Sequence, residues 1–361
     1  MTIKVALAGV GNCASALVQG IEFYRAKPEA YGLLHREIAG YKPEDIQIVA
    51  AFDIDNRKVG KKLNEAVLSK PNCTTLFFEE LPELPVVVQM GAVMDGVSEH
   101  LLEHDEESSF AVADEQPCNI AEVLKESGAD MLINFLPVGS EKAARYYAEA
   151  CLQSRTGFIN AMPAFIVSDS GWAQRFEEEN IPAVGDDVKS QMGATIIHRV
   201  LADLFERRGV KITRTYQLNF GGNTDFLNML NKDRVLTKKK SKTNTVQSQL
   251  QEPLPPDKIH IGPSDYVPCL QDNKICHIYM EGTGFGQVPI TMEMKLSVED
   301  SPNSAGVIID AVRCLKLAQD RGIGGALTSI SSFTMKSPPE QYTDSISVQY
   351  LEEFIAGSRE K

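Results

Sequence analysis

Short apolar runs recur through the first half of the chain: Ile3 to Ala8, Ile46 to Phe52, Val86 to Val88, Met131 to Leu136, Phe158 to Met162 and Ile181 to Val184. Runs this short, bounded by glycine, proline or polar residues, predict buried strands. Longer segments with one apolar face lie between several of them. Ala14 to Tyr24 places Leu17, Val18 and Ile21 at helical spacing, and Ile120 to Ser127 and Glu141 to Leu152 also read as helices. Strand alternating with helix predicts an α/β fold built on a doubly wound parallel sheet. Residues 104–118 are acidic and polar, which predicts a surface excursion.

The pattern changes after Gly185. Ser190 to Arg208 reads as one long helix closed by Gly209, and Thr213 to Asn219 as a strand. Residues 231–257 are polar, with no clear apolar face; a long loop of this kind inside a compact chain is usually functional or mobile. His277 to Ser297 alternates and carries Gly282, Gly284 and Gly286, predicting antiparallel strands joined by a turn. Asn303 to Gln319 is helical again, stopped near Gly322. The expected division is a nucleotide-binding domain over 1–190, an inserted α+β catalytic and oligomerisation domain over 191–302, and a C-terminal segment, 303–361, that returns to the first.

Composition narrows the partners. The chain has 361 residues, 43% apolar and 24% charged, an ordinary globular mixture of about two domains. Its net charge of −13 makes nucleic acid and anionic membrane poor partners. No stretch reaches the ~18 apolar residues of a membrane span. The start lacks the pattern of a secretory signal, and the seven cysteines form no C-x-x-C pair, which together predict a cytoplasmic protein.

The clearest chemical signal is Val5-Ala-Leu-Ala-Gly9-Val-Gly11-Asn12-Cys13-Ala14, a strand followed by G-x-G-x-x-A. Gly9 allows the tight turn, Gly11 lets backbone approach a pyrophosphate, and Ala14 allows close helix–strand packing. The helix N-terminus attracts the negative charge. Asp53 ends the next strand, where a carboxylate accepts from an adenosine ribose hydroxyl and favours NAD over NADP. This predicts a Rossmann-type site, with residues 25–45 inserted between helix and strand. His100-Leu-Leu-Glu-His104 matches H-x-x-E-H, but acidic residues follow and no third ligand is apparent, so a solvated face is expected and no metal. His198, between apolar neighbours on the long helix, is expected to be hydrogen-bonded in the core. Lys238-Lys-Lys-Ser-Lys242 is the one basic run, either a solvated loop or an oxyanion site.

Several blocks together resemble the myo-inositol-1-phosphate synthase family in its shorter prokaryotic form. They are Gly9-Val-Gly-Asn-Cys-Ala-Ser15, Leu136-Pro-Val-Gly-Ser140, Gly185-Asp-Asp-Val-Lys-Ser-Gln191, Gly221-Gly-Asn-Thr-Asp-Phe-Leu-Asn-Met229, Lys238-Lys-Lys-Ser-Lys-Thr243, Tyr266-Val-Pro-Cys-Leu-Gln-Asp-Asn-Lys274, Asp300-Ser-Pro-Asn-Ser-Ala-Gly306 and Met335-Lys-Ser-Pro-Pro339. The resemblance implies NAD-dependent cyclisation of D-glucose 6-phosphate to 1D-myo-inositol 3-phosphate, an isomerisation serving inositol biosynthesis, in a homotetramer. It also implies the route: C5 oxidation, enolisation, aldol closure and re-reduction. A plain NAD-dependent sugar-phosphate dehydrogenase is the alternative.

On the same resemblance, Lys238 is the proton shuttle at O5, Lys242 holds substrate near its phosphate, and Lys274 and Lys336 hold oxyanions. Asp187, Asp272 and Asp300 match acidic positions near the cofactor and the lysines. Ser190, Gln191, Asn223 and Asp225 match a substrate and cofactor rim. Thr224 stands where the long-form enzymes have Asn. Each also has a plain structural reading: Asp187 and Ser190 or Asp300 as helix caps, Asn223-Thr-Asp225 as a turn, Lys336 as a surface lysine.

Overall fold

The computed structural model describes residues 1–105, 107–231, 243 and 245–361. Its larger sheet has seven strands: β1 (Ile3–Ala8), β2 (Ile46–Asp53), β3 (Val88–Met90), β4 (Met131–Asn134), β5 (Gly157–Asn160), β6 (Pro182–Gly185) and β11 (Gly325–Ala326). They run in the order β11-β6-β5-β4-β1-β2-β3, and every pairing is parallel. Six of these strands therefore follow the 3-2-1-4-5-6 order of dinucleotide-binding sheets. Both faces are covered, which explains why the strands read as unbroken apolar runs. Helix Asn12–Ala26 and the long helix Asp300–Asp320 bury one face with Leu17, Ile21, Ile308 and Val312. Helices Ile120–Ser127, Glu141–Ser154 and Ser170–Glu178 bury the other with Leu124, Ala148 and Phe176.

The second sheet has four strands in the order β10-β9-β7-β8: β7 (Lys211–Gly221), β8 (Ile259–Tyr266), β9 (Asn273–Thr283) and β10 (Pro289–Glu299). β7–β9 and β9–β10 are antiparallel, and β7–β8 is parallel. The β9–β10 hairpin matches the alternation read over 277–297. One face packs under helix Ala194–Arg207 through Ala202, Phe205, Ile278 and Met280. On the same side His198 sits fully buried between Thr215 Oγ1 at 2.8 Å and Gln217 Oε1 at 3.2 Å. Burial pushes its pKa down to about 4, so it is neutral and structural, as expected for a core histidine.

Two expectations are corrected. The long helix starts at Ala194, after Gly193, not at Ser190. The backbone N–H groups before it are taken by distant carbonyls: Val188 by Ala161, Lys189 by Thr334 and Gln191 by Asn303, while Asp187 sits at φ 64°. A segment whose donors are spent across the fold cannot wind into a helix. The acidic excursion is also more than surface. Leu101, Ser109 and Ala113 are buried, and Val112 bridges to Asp55 beside the end of β2. Helices Ser170–Glu178, Thr328–Thr334 and Asp344–Ala356 and the short helices Leu63–Ala66 and Thr224–Asn228 escaped the sequence reading. The inserted stretch after helix Asn12–Ala26 is tied down by buried Arg313, which donates to the carbonyls of His35, Arg36 and Tyr41.

Candidate active site

A cleft enclosing about 1810 Å³, part of it open to solvent, runs along the carboxyl ends of β1, β2, β4, β5 and β6 and across to the second sheet. Its position is where parallel sheets bind ligands, at the point where strand order reverses between β1 and β4.

Backbone geometry builds the cofactor end. Gly9 turns at φ 91°, and a Cβ there would meet the Phe135 carbonyl oxygen at 2.9 Å, so only glycine fits. A Cβ on Gly11 would meet nothing within 4 Å, which leaves the helix N-terminus open to the cleft. Asp53 lines the cleft and accepts from Val10 N at 2.7 Å and Ile54 N at 2.7 Å, which fixes its carboxylate beside the turn. Asn12 also lines the cleft, and its Oδ1 accepts from Cys73 N and Thr74 N at 2.7 and 3.1 Å. Ala14 is buried at the helix–sheet contact. Cys13 Sγ lies 4.0 Å from Ser301 Oγ; burial, helped by Asp272 and Asp300, pushes its thiol up to about 12 and keeps it protonated.

Sequence reasoning missed the brace under this turn. Fully buried Lys58 donates to Val10 O at 2.9 Å and to Asn72 Oδ1 at 2.9 Å, and Asn72 itself donates to Val10 O at 3.0 Å. Burial pushes the Lys58 pKa down, partly opposed by Asp53 and Asp55. Lys58 stands five residues after Asp53 with no motif around it, and only the fold reveals its role.

The far end of the cleft carries the charged groups. Lys336 Nζ reaches Asp187 Oδ1 at 2.8 Å, both mostly buried. Their backbones also meet, Lys336 N donating to Asp187 O at 2.6 Å. Asp187 is positioned by the preceding Asp186, which is fully buried and accepts from Asn160 Nδ2, the N–H groups of Ile166, Val167 and Ser168, and Ser168 Oγ. Lys274 at the start of β9 pairs with Asp300, the first residue of the long helix. Asp272 accepts from Asn223 Nδ2 at 2.9 Å and from Ser301 Oγ at 3.0 Å; burial, with Asp300 adding, pushes it up to about 6.

Lys274, Lys336, Asp187, Asp300, Ser190, Asn223 and Asp225 therefore line one cleft with Gly9, Gly11, Cys13 and Asp53, and Asp272 sits behind it. Asn223 is at once a rim residue and the cap of helix Thr224–Asn228. Ser190 lines the cleft but does not open a helix. Gln191 turns outward, donating to Gly32 O at 2.6 Å. Lys238 and Lys242 lie outside the described residues. Met229 lines the cleft, and the Thr245 hydroxyl donates to Lys336 O at 2.9 Å. His100 spends Nδ1 on Ser98 Oγ and Nε2 on Leu227 O. Among the described residues no group of three or more His, Cys, Asp or Glu is placed to hold a metal ion, and no helix is long and apolar enough to cross a membrane.

Comparison with known proteins agrees with this geometry. The Myo-inositol-1-phosphate synthase family profile matches residues 193–301, which span the second sheet and its helix. The chain is 49% identical to the inositol-3-phosphate synthase of Mycolicibacterium smegmatis, over 98% of both chains. It is 49% identical to that of Corynebacterium glutamicum, again over 98% of both. A solved myo-inositol-1-phosphate synthase-related protein from Thermotoga maritima superposes with a TM-score of 0.82 at 26% identity, covering 99% of each chain. A nucleotide-binding sheet, a lysine-bearing second sheet and near-complete alignment to these enzymes lead to one assignment: the chain belongs to the myo-inositol-1-phosphate synthase family.

Proposed function

We propose that the chain is an inositol-3-phosphate synthase that cyclises D-glucose 6-phosphate to 1D-myo-inositol 3-phosphate with retained NAD. The observation that carries the reading is the convergence of Lys274 and Lys336 on the same cleft as the glycine turn and Asp53. The residues present fit NAD: Gly9 and Gly11 leave space against the helix N-terminus, and Asp53 stands where a ribose hydroxyl would donate. When bound, NAD would supply hydride transfer at the sugar's C5.

The lysines answer the charges that follow. A ketone at C5 acidifies the C6 protons, and enolisation places an oxyanion at O5; attack of C6 on the C1 aldehyde then places one at O1. Ammonium groups held in a partly buried site stabilise such charge far better than water does. Lys274 and Lys336 are the oxyanion donors, each held in place by a carboxylate, Asp300 and Asp187. Lys238 takes and returns the O5 proton and Lys242 binds near the phosphate; Met229 on the cleft wall and Thr245, bonded to the Lys336 backbone, stand on either side of the lysine run and support both roles. Ser190, Asn223 and Asp225 form the sugar rim, and Gln191 steadies it from outside.

The same reading divides the chain into a cofactor domain over 1–190, an inserted catalytic domain over 191–302 and a returning segment over 303–361, working in the cytoplasm. It also makes the protein a homotetramer. The outer face of the second sheet leaves Tyr216 exposed, and Val288 and Ile290 are exposed at the turn end of the β9–β10 hairpin; a second copy packed on this sheet would cover them. Incubation with NAD and D-glucose 6-phosphate tests the function: inositol phosphate should form without accumulating NADH. Stoichiometric NADH with an oxidised sugar phosphate would identify a dehydrogenase instead.

A further inference from the structure

The stretch between β3 and helix Ile120–Ser127 crosses from the nucleotide sheet to the catalytic rim and bonds to both. At the nucleotide end, buried Asp55 holds the Arg57 guanidinium, and Arg57 Nη2 donates to Ser109 O at 2.7 Å. Asn56 N donates to Ala111 O at 2.7 Å, and Ala113 N to Ile54 O at 2.8 Å. These residues directly follow Asp53. At the other end, Thr224 Oγ1 donates to Ser108 O at 3.0 Å. His100 reaches Leu227 O at 3.1 Å; a carbonyl only accepts, so Nε2 carries the proton and Nδ1 faces the Ser98 hydroxyl. Ser109 Oγ closes the stretch on itself by donating to Leu101 O at 2.5 Å, and Phe110 lines the cleft between the two ends.

The path continues inward. Helix Thr224–Asn228 is capped by Asn223, whose amide donates to Asp272, and Asp272 holds Ser301 next to Asp300 and Lys274. We propose that residues 98–105 and 107–113 form a strap linking the cofactor's adenosine end to the substrate rim, with Arg57 and His100 as positioning residues at its two ends. Neither side chain lines the cleft, so neither is a catalytic residue. The strap transmits position: when the β2 end is settled by bound cofactor, Ser108 and His100 fix the turn that presents Asn223 and Asp225.

The inference rests on the synthase reading, and the experiment separates the two. With the full-length protein, hydrogen exchange over 223–231 is measured with and without saturating NAD. Wild type should slow several-fold on adding NAD, and Arg57→Ala, at equal NAD occupancy, should lose most of that slowing. In turnover, His100→Ala should raise KM for glucose 6-phosphate about tenfold with kcat within about threefold and NAD affinity nearly unchanged. His100→Gln, whose amide N–H can reach the same carbonyl, should recover most of it. The double variant should be no worse than the more affected single one, because both ends serve one element. Equal NAD-linked protection in wild type and Arg57→Ala, or an unchanged KM in His100→Ala, would overturn the strap while product formation by wild type stands. Failure of wild type to form inositol phosphate, with NAD-linked protection intact and lost in Arg57→Ala, would overturn the reaction and leave the strap.

Discussion

The two ends of the cleft are made by different means. At the cofactor end, chemistry comes from the backbone: a positive-φ glycine, a second glycine with open space before it, and a helix N-terminus, all within a few residues. At the lysine end it comes from side chains far apart in sequence, Lys336 on Asp187 and Lys274 on Asp300, held by a buried carboxylate lattice. A site for a bound cofactor needs shape that persists. On the proposed reading, charge that appears only during reaction needs donors fixed beforehand, and the paired carboxylates hold them. The comparison predicts that damage at one end spares the work of the other.

The largest effect is expected from Lys274→Ala and Lys336→Ala. Each should lower kcat by about 2.7–4 kcal/mol of transition-state stabilisation, as for loss of one preorganised oxyanion donor, with NAD affinity within a few-fold of wild type. Steady-state kinetics with a separate NAD titration checks both halves. Lost NAD binding in both variants would erase the distinction between the ends.

Next is the cost of the lattice itself. Burial raises the Asp272 pKa from 3.8 to about 6 in the folded chain. The folded state then holds its proton more tightly than the unfolded one, so Asp272's contribution to stability is present below pH ~4 and lost as pH rises through ~6. Relative to wild type, Asp272→Asn should gain about 2–3 kcal/mol of stability between pH 4 and pH 7, read by urea unfolding at both. A pH-independent difference would mean that the carboxylate is solvated. Activity should fall in the same variant, because an amide NH2 replaces Oδ2, which accepts from Ser301 N at 3.2 Å.

The smallest effect separates two glycines. Gly9→Ala forces a left-handed conformation costing about 1–2 kcal/mol and a contact with Phe135 O, so the cofactor-free protein should melt earlier. Gly11→Ala meets nothing in the protein and should keep the cofactor-free Tm while weakening NAD binding. Matching Tm losses in the two would contradict the assignment of Gly11 to the ligand side.

The same contrast explains what could be read in advance. The parallel sheet and the glycine turn were legible because apolar runs and local spacing encode them directly. The lysine end was reached only through resemblance, since neither periodicity nor charge links Lys274 to Lys336. Residues 190–193 looked helical because their side chains permit it; the N–H groups of Gln191 and Met192 are claimed by distant Asn303, which no local pattern reveals. The strap looked like a solvated acidic loop because its contacts are made by the backbone carbonyls of Ser108, Ser109 and Ala111. Composition describes side chains and is silent about carbonyls.

The central claim is that both ends serve one uninterrupted reaction on one substrate. Turnover of glucose 6-phosphate deuterated at C5, in the presence of excess unlabelled free NADH, tests it most directly. Retention of the label in the inositol phosphate product is expected, because a cofactor held at the glycine turn returns the hydride it took before it can exchange. Replacement of the label by hydrogen from the free NADH pool would contradict the account.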